Sequence, residues 1–400
     1  MLVSRRNFMG KLGASALSLL VSPASAAEDT KKDVLVCVFQ RGAMDGLNAV
    51  VPYAEGRYYD LRPTLGIAAP GSGDGSAIDL DGQFGLHPAM APLKAQYDVG
   101  NMAIVHAAGA TQVDHSHFSA QRLMELGLNS QGEAPGGWLA RYLNSQSIAG
   151  GIFQAISVAN STQKSLSGYP EALAMASAAD FKLTSRYAAE TSVLLSGLSA
   201  QQNTLGGQMA STLTALDTFG SLGVEDLPVD NGANYANNSF ARAMKQAAQY
   251  IKADIGTEII CVDTGGWDHH NNLASRLNGK LTELSEGLAA FVQDMGARMA
   301  NVTVITMTEF GRRAKENSSN GTDHGRGSCM FAVGNNVNGG KVYTDWPGLA
   351  ENQLRKGDLE ITTDYRTVLG ELVNKRMRGG PLDEIFPGYT MPAELGLFKA

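Results

Sequence analysis

Six short runs of apolar, largely β-branched residues recur along this chain, at 33–41, 102–108, 152–159, 257–263, 301–308 and 328–334. Runs that are apolar on both sides of the pleat leave no face for water, so they belong in a parallel sheet covered by helices on both sides. Between them, apolar residues recur with helical spacing over 88–97, 118–126, 138–144, 239–252, 277–299 and 364–377. The alternation predicts an α/β fold, a doubly wound and mostly parallel sheet. Residues 171–238 interrupt it, because alanine, serine, leucine and glutamine dominate there, no strand run appears, and 231–238 are polar. This stretch reads as a helical insertion in a single domain spanning 27–400, or as ordinary connecting helices.

Residues 1–26 stand apart. Ser4-Arg5-Arg6-Asn7-Phe8-Met9 is followed by Lys11, an apolar run over 12–21, and Ala24-Ser25-Ala26. That order reads as a twin-arginine signal peptide with a small-residue cleavage site. Its apolar run falls well short of the ~20 residues that span a bilayer. The expected location is therefore the periplasm or the exterior, with the twin-arginine translocase as a partner during export and no membrane contact after cleavage. Net charge is −7, and without Arg5, Arg6 and Lys11 the chain carries 29 bases against 39 acids, or −10. That balance excludes a nucleic-acid partner. Three cysteines make no disulfide framework. Cys37 and Cys261 read as buried small hydrophobes; Cys329, close to a histidine motif, reads as another buried cysteine or as one that touches a site.

Functional groups of an open α/β sheet gather beyond the carboxyl ends of its strands. Asp45 follows the first run, between glycines at 42 and 46. After the second comes Asp114-His115-Ser116-His117, opening a helix. It offers a nucleophile in Ser116 and a base or ligand in His117, although Asp114 or Ser116 also serves as a helix cap. The fourth run leads into Asp263-Thr-Gly-Gly-Trp267-Asp268-His269-His270, a mixture of hard oxygen and borderline nitrogen donors suited to a metal. In an extended geometry Asp268 and His270 converge while His269 points elsewhere. A hydrogen-bonded loop with exposed histidines is the alternative. The fifth run delivers Glu309, Arg312 and Arg313, and Asp323, His324 and Arg326 precede the sixth. Arg312 and Arg326 have the forked geometry that binds an oxyanion, or they balance surface charge. His87 and His106 read as structural.

Asp45-Gly-Leu-Asn, Ser116-His-Phe-x-Ala-Gln121, Gly266-Trp-Asp-x-His270, Thr308-Glu-Phe-Gly-Arg312 and Gly321-Thr-Asp-His-Gly325 occur in this order behind the leader. Together they resemble the bacterial domain-of-unknown-function family 1501, from about residue 33 to the final helix. That family looks like a branch of the alkaline-phosphatase-like superfamily, related to sulfatases. The resemblance implies a doubly wound sheet, one or two divalent metal ions, and hydrolysis of phosphate or sulfate esters. It places Asp45 at the first-strand acid, Ser116 at the nucleophile, and Asp263, Asp268 and His270 around one metal. The superfamily's late Asp-His-Gly is Glu309-Phe310-Gly311 here, with Asp323-His324-Gly325 one loop later. A metal position is thus lost, or rebuilt from Glu309 and His324. No Cys/Ser-x-Pro-x-Arg segment is present, which disfavours a formylglycine sulfatase.

Two functions follow. The first is an exported metal-dependent hydrolase using Ser116 and His117, with Asp45, Asp263, Asp268, His270, Glu309, Asp323 and His324 as metal-site residues. Its substrate would be an anionic small molecule or a glycan. The second is a non-catalytic envelope protein that binds a glycan, an anionic polymer or a partner protein in the same cleft.

Overall fold

A computed structural model describes residues 33–112, 114–130, 132–147, 151–182, 187–200 and 204–399. The leader read at residues 1–26 lies outside them. The main sheet contains β1 (Val34–Arg41), β2 (Met102–Gly109), β3 (Ala155–Ser157), β4 (Leu173–Ala174), β5 (Ile259–Gly265), β6 (Val302–Met307), β7 (Ser328–Val333), β8 (Val342–Tyr343) and β9 (Thr363–Asp364). Its order is β8-β2-β7-β6-β1-β5-β3-β4, with β9 also on β2. Every pairing is parallel except those of β7, which runs antiparallel to β2 and β6.

Side-chain alternation along β1 builds two cores. Val34, Val36 and Val38 join one with α1 (Ala91–Asp98), α6 (Ser239–Lys252) and α7 (Leu273–Met295). Leu35, Cys37 and Phe39 join the other with α3 (Trp138–Asn144) and α8 (Tyr365–Lys375). This is the doubly wound architecture that continuous apolar strands require. Helices α4 (Ala188–Ser199) and α5 (Thr204–Ser221) fall in the stretch rich in alanine and serine. That stretch also holds a strand: β4 pairs with β3 through two residues, too few for an apolar run to register in sequence. The third apolar run likewise yields only Ala155–Ser157 as strand. All three cysteines are free and buried, and Cys329 belongs to the first core.

The antiparallel β7 decides where its preceding loop goes. Ser328 pairs with Ala108 near the end of β2, so residues just before β7 share a rim with residues just after the parallel strands. Glycines let these segments touch. A Cβ on Gly325 would lie 2.3 Å from the Arg312 carbonyl carbon, one on Gly321 2.2 Å from that of His270, and one on Gly42 2.8 Å from the Asp268 nitrogen. Gly325→Ala should therefore cost about 1–3 kcal/mol by overpacking backbone against backbone. Gly279→Ala, inside α7 with nothing within 4 Å of the added carbon, should instead stabilise by about 0.5–1 kcal/mol. Urea midpoints of the two variants check the contrast.

Candidate metal centre

Four chain segments converge at this rim. Helix α2 (His117–Glu125) begins with His117, the loop after β5 supplies Asp268 and His270, the loop after β6 supplies Glu309 and Arg312, and the segment before β7 supplies Asp323 and His324. Trp267, fully buried, anchors the middle segment by donating its indole N–H to the Thr264 carbonyl at 3.0 Å.

Asp268 is the meeting point. Its Oδ1 lies 3.0 Å from His270 Nε2 and 3.2 Å from His324 Nε2, and its Oδ2 lies 3.4 Å from His117 Nε2. The Nε2 atoms of His270 and His324 are 3.0 Å apart. Arg312, with its side chain wholly buried, donates from Nη1 to Asp268 Oδ1 at 2.8 Å and from Nε to the Thr322 hydroxyl at 3.2 Å. Phe310 packs beneath, its ring centroid 5.0 Å from those of His117 and His324. The side chains of Asp268 and His270 are each 43% exposed, so the cluster opens to solvent on their side.

The opposite nitrogen of each ring has an acceptor. His117 Nδ1 lies 2.7 Å from Glu309 Oε1, His324 Nδ1 lies 2.8 Å from the His115 carbonyl, and His270 Nδ1 lies 3.4 Å from Asp323 Oδ1. Carboxylates and carbonyls only accept, which puts a proton on each Nδ1, so that each ring when neutral turns its Nε2 lone pair toward the Asp268 carboxylate. With neutral rings that assembly is repulsive until a proton or a metal cation is shared. Ion–ligand bonds of ~2.0–2.1 Å set tetrahedral ligand atoms about 3.3 Å apart, close to the separations here. A buried acceptor behind each ligating imidazole is also the usual support of a metal site. The donor set therefore fits a divalent ion; His117, Asp268 and His324 place their ligand atoms within 4.8 Å of one another.

Protonation follows the contacts. The Glu309 hydrogen bond raises His117 above its ordinary value, against burial. Burial pushes the Glu309 carboxyl up, but bonds from His117, Gln121 and the Gly42 amide hold it below the ordinary 4.5. Burial likewise pushes the Asp268 carboxyl up, but the hydrogen bond and charge of Arg312 more than offset this and hold it below the ordinary value. Burial lowers His324. Asp323 is lowered first by a hydrogen bond from Asn317.

Not every expected site residue is in the cluster. Asp45 is buried elsewhere: its Oδ1 accepts the Leu47 and Asn48 amides of the short helix 46–49, and its Oδ2 pairs with the buried Arg62 at 2.7 Å. Both oxygens are thus committed to folding rather than to a metal. Asp263 pairs with Arg41 at 3.0 Å and accepts from Gln163 at 2.6 Å. Arg326 donates to the Thr111 carbonyl, with Glu360 at 3.9 Å, because its own loop turns it away from the cluster. Glu309 and Asp323 stand behind histidines rather than among the converging Nε2 atoms. Ser116 is exposed at the N-cap of α2, its hydroxyl making no capping bond. His269 turns inward and is buried, and burial lowers it to about 4. His106, fully buried, bonds the Val50 carbonyl, and His87 caps the turn at 88–90. Reasoning from sequence missed Arg41 and gave Gln121 a place in a motif but no role: Arg41 donates to Gln121 at 3.2 Å, and Gln121 to Glu309 at 2.9 Å. Gln121 stands one helical turn beyond His117, and that spacing with its place in the motif is its signal in the sequence.

Residues 32–370 match the family described as protein of unknown function (DUF1501). The chain belongs to the DUF1501 family. The matched span contains every member of the cluster. No curated protein is detectably similar to this DUF1501 chain. Solved structures similar to it include the alkaline phosphatase from the Antarctic bacterium TAB5, at 12% identity, 76% of this chain, 92% of that chain and a TM-score of 0.30. A variant of that enzyme with magnesium bound in its M3 site has a TM-score of 0.33 at 12% identity, with the same coverage. The PH0037 protein from Pyrococcus horikoshii matches at 11% identity, 90% of this chain, 99% of that chain and a TM-score of 0.33. At these TM-scores the likenesses carry no statement about what the DUF1501 chain does.

Two outcomes follow. In metal-free protein the Glu309–His117 pair contributes fully between about pH 4.5 and 6.5. It is lost as pH falls through the lowered Glu309 value or rises through the raised His117 value. Urea midpoints against pH should bend at both ends, and Glu309→Gln should flatten both limbs. Arg62→Met should cost about 3–5 kcal/mol by leaving the Asp45 charge buried without its partner, measurable by chemical denaturation.

Proposed function

We propose that this protein is an exported metal-dependent hydrolase of phosphate or sulfate esters, on the alkaline-phosphatase-like plan that its motifs resemble. The observation that carries the reading is the convergence of three imidazole Nε2 atoms on Asp268, each ring having an acceptor at its Nδ1. His117, His270, His324 and Asp268 would hold one divalent ion, and three nitrogens with one oxygen suit zinc or manganese. When bound, such an ion polarises an ester oxygen and lowers the pKa of coordinated water.

The remaining roles belong to the chain itself. Glu309, Asp323 and the His115 carbonyl hold the Nδ1 protons and so aim the rings. Arg312 offsets the Asp268 charge, and its buried Nη2 has no partner, leaving a donor for an anionic oxygen. Ser116, exposed one residue before His117, is the candidate nucleophile, with water as the competitor. Export through the twin-arginine pathway would place the substrate, a small anion or a charged glycan, outside the cytoplasm. No described helix is long and apolar enough to cross a membrane.

The commitment of Asp45 and Asp263 to arginines leaves donors for one ion rather than two. That observation favours, as the second reading, a protein that binds an anionic ligand without turning it over. Elemental analysis of protein exported by its own host, with assays on aryl phosphate, phosphodiester and aryl sulfate, separates the two. One ion with turnover that disappears in His324→Ala and Asp268→Asn supports the hydrolase. Absence of turnover, with one weakly held ion or none, selects the binding role and defeats the hydrolase. Ser116→Ala should abolish turnover at unchanged metal content if serine attacks, and leave it intact if water does.

A further inference from the structure

His115 lies in the same short run as His117, yet it takes no place among the converging rings. Its Nε2 is 3.3 Å from Asp358 Oδ2, and its ring meets Phe310 edge-on at 6.0 Å. Its backbone has φ of +62°, in the left-handed region that side-chain-bearing residues seldom adopt. Its carbonyl accepts from His324 Nδ1 at 2.8 Å.

These three facts belong together. The acceptors behind His117 and His270 are carboxylates, which adjust by rotating a side chain. The acceptor behind His324 is a main-chain oxygen, whose direction is set by the torsions of residue 115. A left-handed residue with a side chain persists only where its surroundings hold it there. On one side, the Ser116 amide donates to Asp114 Oδ1 at 3.0 Å and tightens the turn. On the other, the imidazole of His115 makes a 3.3 Å ion-pair contact, not an aligned hydrogen bond, with Asp358, which is buried in the loop between Arg355 and Glu360 and also faces Arg313 at 3.4 Å. That loop also braces the segment carrying His324, because the Gly327 amide donates to the Leu359 carbonyl at 3.0 Å. One loop thus holds both partners of the hydrogen bond that orients His324.

We infer that His115 is a positioning residue: clipped to Asp358, it holds a left-handed turn whose carbonyl fixes the His324 ring with Nε2 facing Asp268. The inference rests on the metal-centre reading for its consequence, but the clip itself is testable without metal.

The experiment compares wild type, His115→Ala, His115→Asn, Asp358→Asn and the His115→Ala/Asp358→Asn double variant. Zinc and manganese affinities come from chelator competition, and the His324 tautomer comes from 15N NMR of the metal-free protein. In wild type the His324 proton should sit on Nδ1. His115→Ala should weaken metal binding by roughly 10–100-fold, the cost typical of removing support behind a ligand, and mix the two tautomers. Asparagine tolerates the left-handed region, so His115→Asn should recover much of both readouts. Asp358→Asn should resemble His115→Ala, and the double variant should be no worse than either, because both cut one clip. Unchanged affinity and tautomer in His115→Ala overturns the inference. So does a loss confined to His115→Ala with Asp358→Asn like wild type, since the tether would then be idle. If wild type takes up no metal, the proposed function fails, while the tautomer still decides the clip. If His115→Ala does not fold, Asp358→Asn carries both readouts alone.

Discussion

Three neutral imidazoles whose Nδ1 hydrogens are already engaged cannot comfortably share a few ångströms with a carboxylate. The crowding of His117, His270 and His324 around Asp268 is the constraint from which the rest of this rim follows. Each surrounding feature either enforces the crowding or offsets its cost. Glu309 and Asp323 hold two of the protons, the His115 carbonyl holds the third, and Arg312 places a buried positive charge against Asp268. Such support suppresses the softer alternatives, a ring flip or an outward-turned carboxylate, and is the kind that holds ligating imidazoles in known metal sites.

The support reaches further than the first contacts. Arg41 at the end of β1 lies between Asp263, Glu125 and Gln121, and Gln121 passes the connection on to Glu309. The carboxylate behind His117 is thereby tied to the end of the central strand and to helix α2 together. Asp45, Asn48 and Arg62 form a separate buried network that shapes the chain just after β1. An ion pair buried so completely is costly to break and contributes more to a unique local conformation than to net stability.

Much of the architecture was legible in the chain. Continuous apolar runs over 33–41 and 301–308 could only be strands covered on both faces, and Ser239–Lys252 and Trp138–Asn144 form helices where apolar spacing placed them. The clustering of Asp268, His270, Glu309 and His324 at strand ends was legible for the same reason, since a buried strand must release its polar residues at its tip. Asp45 misled because an acid beside glycines after a strand looks alike whether it meets a metal or an arginine. Arg62, its true partner, lies 17 residues away in a segment with no motif. Arg326 misled similarly, for the side a side chain takes within a tight loop depends on torsions that composition does not specify.

Hydrophobic periodicity, residue chemistry and their order along the chain were enough to determine a doubly wound sheet with a histidine- and carboxylate-rich rim. Those properties are local, and local properties are written in the sequence directly. The tertiary structure alone decided that β7 runs against its neighbours, bringing His324 to the rim from before a strand instead of after one. It alone decided which nitrogen of each ring faces Asp268, and which carboxylates stand behind rings or pair with arginines. Those choices depend on hydrogen-bond partners distant in sequence, and only the packed sheet brings such partners to 2.7–3.4 Å.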